Sequence, residues 1–226
     1  MKFAVDAVLF DLDGTLLDTL PDLLTAANRM LAELGQASRT YAEVRRFVGK
    51  GIPNLVQRCL SDDRSVDPAL VEAGLPVYRR HYAVVNGDAT RIYDGVEPTL
   101  KQLKAQGIRL GLVTNKAQAF TLPLLEHVGL ARYFDAVVSG DVLPQKKPDP
   151  APLLHACAQI GVSPARAIMI GDSANDAEAA QAAGMPVLLA NYGYSEGRPV
   201  DTIKCDGVIS ALPELLRYIE RRSGDT

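Results

Sequence analysis

The chain has 226 residues, 47% of them hydrophobic and 23% charged, the proportions of a folded globular protein with enough apolar material for a full core. Twenty-four Lys and Arg against 27 Asp and Glu give a formal net charge of −3, so no basic field exists for nucleic acid or an anionic membrane. The apolar N-terminal stretch is broken by Asp6 and ends at Asp11, too short and too acidic for a secretory signal or a membrane span, which leaves the cytoplasm as the expected location.

The first predicted strand is Ala7 to Phe10, a short aliphatic run that ends at Asp11. From Leu16 to about Tyr93 the pattern becomes helical: Leu23, Leu24, Ala27, Met30, Leu31 and Leu34 recur at helix spacing, Thr40 with Glu43 forms a capping box, and Asp67-Pro68 opens a further helix. Strand and helix then alternate. Strands are predicted at Leu110 to Val113, Ala136 to Val138, Ala167 to Ile170 and Pro186 to Ala190. Between them lie helices over Gln118 to Val128, Pro150 to Ile160 capped by Asp149, and Asp176 to Ala183, each closed by a glycine. This alternation predicts an α/β fold, a doubly wound and mainly parallel sheet. Residues 1–16 and 94–226 are expected to form that core, with 17–93 inserted as a small all-helical cap over the sheet's carboxyl edge.

In a parallel sheet the strand ends converge, and ligands bind in the crevice outside the carboxyl edge. Asp11, Thr114, Ser139-Gly140-Asp141 and Gly171-Asp172-Ser173 are the residues delivered there. In extended chain Asp11 and Asp13 point the same way, and two close carboxylates repel unless a cation or a proton separates them; a hard cation such as Mg²⁺ suits the pair. Cys59, Cys157 and Cys205 form no CxxC pair and His81, His127 and His155 are scattered, so carboxylates are the expected metal ligands.

Asp11-Leu12-Asp13-Gly14-Thr15 resembles the first motif of the haloacid dehalogenase-like superfamily of phosphohydrolases. Thr114-Asn115 resembles the second, Lys147 in Lys146-Lys147-Pro148-Asp149-Pro150 the third, and Gly171-Asp172-Ser173-Ala174-Asn175-Asp176 the fourth. The resemblance implies that Asp11 is a nucleophile forming an aspartyl phosphate and that Asp13 is the general acid and base. It implies further that Thr114, Asn115 and Lys147 bind the phosphoryl group, and that Mg²⁺ sits on Asp11, the Asp13 carbonyl and Asp172, with Asp176 orienting them from behind.

Within the superfamily the chain most resembles the phosphoglycolate phosphatases, through Val48-Gly49-Lys50-Gly51, Tyr192-Gly193-Tyr194 and Gly197-Arg198-Pro199; Ala174 departs from the Arg many of them carry. That implies a small phosphorylated acidic metabolite, 2-phosphoglycolate, as substrate, with Lys50 on a cap loop over its carboxylate. The alternatives are a phosphatase of another small metabolite such as a sugar phosphate, a β-phosphoglucomutase-like phosphomutase, and, furthest from the motifs, a non-catalytic domain that binds a phosphorylated ligand. Nothing in the sequence separates monomer from dimer.

Overall fold

The computed structural model describes residues 2–61 and 65–221. In chain order it contains β1 (Phe3–Val5), β2 (Ala7–Phe10), β3 (Leu17–Asp18), α1 (Leu20–Glu33), α2 (Tyr41–Arg45), α3 (Ile52–Leu60), α4 (Pro68–Val85) and β4 (Arg91–Ile92). There follow α5 (Val96–Ala105), β5 (Arg109–Val113), α6 (Gln118–His127), β6 (Ala136–Val138), α7 (Ala151–Ile160), β7 (Ala167–Gly171), α8 (Ala174–Ala182), β8 (Val187–Ala190), β9 (Gly207–Ile209), α9 (Leu215–Tyr218) and β10 (Ile219–Arg221).

Six strands form the central sheet in the order β6-β5-β2-β7-β8-β9, and every neighbouring pair is parallel. The chain fills one half outward from β2 and then returns to fill the other half from β7. The strand order therefore reverses between β2 and β7, the place where such sheets open a binding crevice. Alternate residues of each strand feed opposite faces. Val8, Phe10, Ile168 and Ile170 pack in the core under α5 and α6, whereas Ala7, Leu9, Ala167 and Met169 pack under α7 and α8. Burial on both faces explains why these strands read as unbroken aliphatic runs, and the doubly wound α/β expectation is met.

Several features went unread, among them helix α5 and the short strands β3 and β4 at the two ends of the segment expected to be all-helical. β9 is Gly-Val-Ile, too short to stand out, and β1 and β10 form a separate parallel pair that joins the two ends of the described chain. Helix α8 begins at Ala174 rather than Asp176, because Ser173 caps it and Asp176, three residues on, reaches back to the Ser173 N–H.

Helices α1, α3 and α4 enclose a third apolar core that includes Leu23, Met30, Phe47, Val56, Tyr78 and Tyr82. The capping box at Thr40 and Glu43 is present at the start of α2. The chain reaches this layer through β3 and leaves it through β4, and the two pair antiparallel, Leu17 with Ile92 and Asp18 with Arg91. The returning loop is fastened by Asp22 of α1. Its buried carboxylate accepts hydrogen bonds from Gly87 N (3.0 Å), Ala89 N (2.8 Å), Thr90 N (3.0 Å) and Thr90 Oγ1 (2.6 Å). No helix among the described residues is long and apolar enough to cross a membrane.

Candidate active site

Asp11 follows β2 directly, and its N–H still bonds Ile170 O of β7 at 2.9 Å, which fixes it at the strand-order reversal. Asp172 follows β7 on the other side of that reversal. Between them Gly14 turns the chain at φ +87°, and a Cβ there would collide with the Asp172 carboxylate, so glycine is required by both conformation and space. Asp11, Asp172 and Asp176 each bring a carboxylate oxygen to within 4.8 Å of the others.

Lys147 stands among them, 3% exposed. Its ammonium donates to Asp11 Oδ1 (2.8 Å), Asp176 Oδ1 (2.7 Å) and Val113 O (2.6 Å), which uses its three donors. Asp176 Oδ2 accepts from Asp172 N (3.2 Å), Ser173 N (3.1 Å) and Ser173 Oγ (2.9 Å), so one carboxylate caps α8 and holds Lys147 together. Burial dominates the titration of this cluster. It raises Asp11 from an ordinary carboxylate value to about 7; Lys147 opposes the rise and Asp176 adds to it. Asp172 is pushed well above the usual range by burial, then by Asp176 and Asp11. Burial pulls the Lys147 ammonium down, but Asp11 and Asp176 outweigh it and the net shift is upward.

Three clustered carboxylates face a single ammonium, a buried excess of negative charge built from hard oxygen donors. A divalent cation fits such a site, since it would offset the burial and, after it, the mutual repulsion that raise Asp11 and Asp172.

Asp13 is two residues from Asp11 but its side chain joins a different group. Its carboxylate accepts from Lys116 Nζ at 2.9 and 3.0 Å and from Thr19 Oγ1 at 2.7 Å. Thr114 is buried and lines the same cavity, with its hydroxyl accepting from Lys116 N at 3.2 Å. Asn115, expected at phosphate, is committed elsewhere. Its Nδ2 donates to Gly49 O (2.9 Å) and Lys147 O (2.8 Å), and its Oδ1 accepts from Lys147 N (3.0 Å), so it clamps the Lys147 backbone to the cap loop.

Lys50, expected over the substrate, is absent from the cavity lining. Its half-exposed side chain pairs with Glu196 at 3.4 Å, across from the cap to the core. The flanking glycines carry the loop's backbone, Gly49 and Gly51, to the cavity and leave the lysine side chain outside it. The lysine that enters alongside Lys147 is Lys116, which stands unremarked in the sequence beside Thr114-Asn115. Asp141 is also absent from the cavity lining: it accepts from Gln118 N, the first N–H of α6, at 2.8 Å.

Two further residues join cap and core. Tyr194 donates its N–H to Asp172 Oδ2, while its buried hydroxyl accepts from Thr19 N (2.7 Å) and Leu20 N (2.9 Å) and donates to Asp18 Oδ1 (2.8 Å). One residue, through its backbone N–H and its hydroxyl, thus links the carboxylate cluster to the start of α1. Asn175 donates to Glu196 and, at 3.5 Å, to Gly49 O. The cavity so enclosed takes Asp11, Asp13, Thr114, Lys116 and Lys147 from the core and Leu23, Val48, Ile52, Leu55 and Tyr82 from the cap.

The chain is similar over nearly its whole length to known proteins. A phosphoglycolate phosphatase of Nitrosospira multiformis is 50% identical over 221 residues, covering 97% of each chain. One from Thiobacillus denitrificans is 46% identical over 212 residues, covering 93% of each. A crystal structure described as a predicted phosphoglycolate phosphatase from Haemophilus somnus superposes with a TM-score of 0.88 at 31% identity, covering 94% of this chain and 97% of that one. The family model for haloacid dehalogenase-like hydrolases matches residues 5–184. With its strand-end carboxylates, its lysine and its relatives in agreement, the chain is a phosphatase and belongs to the haloacid dehalogenase-like hydrolases.

Proposed function

We propose that the protein hydrolyses 2-phosphoglycolate to glycolate and phosphate through a phosphorylated Asp11, with Mg²⁺ as cofactor. The observation that carries this reading is the convergence of Asp11, Asp13, Thr114 and Lys147 on one cavity beside the buried carboxylates of Asp172 and Asp176. The naming of the relatives as phosphoglycolate phosphatases at 46–50% identity supports the substrate.

Asp11 attacks phosphorus with a carboxylate oxygen, forming the acyl phosphate as the bond to the leaving oxygen breaks. Asp13 gives that oxygen its proton and later takes one from the water that attacks the acyl phosphate, which returns Asp11 and releases inorganic phosphate. Lys147 holds the attacking carboxylate in place and, with the Thr114 hydroxyl, offers positive charge and a donor where charge builds on the phosphoryl oxygens. Asp11, Asp172 and the Asp13 carbonyl would hold Mg²⁺, with Asp176 fixing the arrangement from behind; when bound, the ion neutralises charge on the phosphoryl group. The cap covers the cavity and keeps bulk water from the acyl phosphate.

The test is phosphate release from 2-phosphoglycolate, hexose phosphates and an aryl phosphate, with Mg²⁺ and with chelator. A Mg²⁺-dependent preference for 2-phosphoglycolate is expected. Equal rates on all three would discard the substrate, and a requirement for a bisphosphate activator would make the protein a mutase.

A further inference from the structure

Two ammonium groups line the cavity, and their surroundings differ. Lys147 has all its donors taken by Asp11, Asp176 and Val113 O. Lys116 is equally enclosed, at 6% exposure, yet its Nζ has one polar partner among the described residues, the Asp13 carboxylate at 2.9 and 3.0 Å. The same ammonium lies 5.0 Å from the centre of the Tyr82 ring, a cap residue whose π-face favours a cation but supplies no ordinary acceptor. An ammonium has three donors, so Lys116 keeps one to spare inside the cavity.

The position of that spare donor matters because Asp13 is the group assigned to the leaving oxygen. In 2-phosphoglycolate a single methylene separates this oxygen from the carboxylate. An ester oxygen seated at Asp13 therefore brings the carboxylate into the neighbourhood of the Lys116 ammonium, already one hydrogen bond from Asp13. The cap side of the cavity offers Leu23, Ile52 and Leu55, which suit a methylene and give nothing to the hydroxyls of a sugar.

We propose that Lys116 is the specificity residue: it binds the carboxylate of a small phosphorylated acid whose charge lies one carbon from the ester oxygen. The inference rests on the 2-phosphoglycolate reading and gives it a molecular basis in place of Lys50.

The experiment compares kcat/KM for 2-phosphoglycolate and for ethyl phosphate, in which a methyl group replaces the carboxylate. Any effect of Lys116 exerted through Asp13 falls on both substrates and cancels in their ratio. Wild-type protein is expected to prefer 2-phosphoglycolate. Lys116→Met is expected to lower the ratio roughly ten- to hundredfold, the worth of one charge-assisted hydrogen bond, and Lys116→Arg to restore most of it. Where circular dichroism shows Lys116→Met unfolded, Lys116→Gln, which keeps donors for Asp13 but no charge, takes its place with the same expected fall. An unchanged ratio with both rates reduced overturns the proposal and leaves Lys116 as a strut for Asp13. A wild-type protein without the preference overturns the 2-phosphoglycolate reading and this inference with it, an outcome visible before any variant is made.

Discussion

Replacing Lys147 by Met keeps an unbranched side chain one atom shorter than lysine and removes its charge and donors. Asp11 and Asp176, now bonded at 2.8 and 2.7 Å, would then face each other and Asp172 with no buried cation between them. Removing one partner of a buried ion pair costs about 3–5 kcal/mol, and at ~2–4 °C per kcal/mol for a chain of this size the melting temperature should fall by roughly 6–20 °C. The loss should depend on pH. Lys147 is what holds Asp11 down at about 7, so the variant's Asp11 titrates higher, and protonation below that point relieves the repulsion. Thermal melts without metal at pH 5 and pH 8.5 test this. A large deficit at pH 8.5, a smaller one at pH 5 and partial recovery with Mg²⁺ are expected. A variant as stable as wild type at pH 8.5, or equally destabilised at both values, would refute the reasoning.

The metal-free wild-type protein should show the same logic in milder form. Because Asp11 is raised from 3.8 to about 7 on folding, the folded state holds a proton that the unfolded chain has released across that window, so stability falls as pH rises through it. Stabilisation by Mg²⁺ in melts should accordingly be larger at pH 8 than at pH 5. Asp22→Ala strips four hydrogen bonds from the loop of residues 87–90 and should cost about 3 kcal/mol in urea unfolding, since buried N–H groups are left without acceptors. Lys50→Ala, which removes a half-exposed pair with Glu196, should change stability by less than about 1 kcal/mol and leave the preference for 2-phosphoglycolate over ethyl phosphate intact; loss of that preference would return Lys50 to the substrate.

The strands of the core were legible because β2, β5, β7 and β8 are buried on both faces and so carry uninterrupted aliphatic runs. Once they were in order, the parallel topology sent Asp11, Thr114 and Asp172 to one edge without further information. What escaped was set by contacts between distant segments. Nothing local marks Lys116 as the lysine that enters the cavity, because its partners are Asp13, 103 residues away, and the ring of Tyr82. Asn115 offers the same polar atoms to phosphate or to backbone, and only the approach of Gly49 and Lys147 decides between them. The placement of Lys50 beside Glu196 was hidden for a related reason: flanking glycines say that a loop comes close, but not which of its atoms faces inward. Asp22 looks like an ordinary first-turn acid of α1 until the returning chain supplies its donors.

In the proposed mechanism Asp11 takes the phosphoryl group, and rapid acid quench of turnover with ³²P-labelled 2-phosphoglycolate tests this directly. Label should appear on the protein within the first turnover, map to the peptide containing Asp11, leave on treatment with hydroxylamine and be absent from Asp11→Asn, which should have lost turnover. Hydrolysis without any labelled protein, or near wild-type turnover by Asp11→Asn, would contradict it.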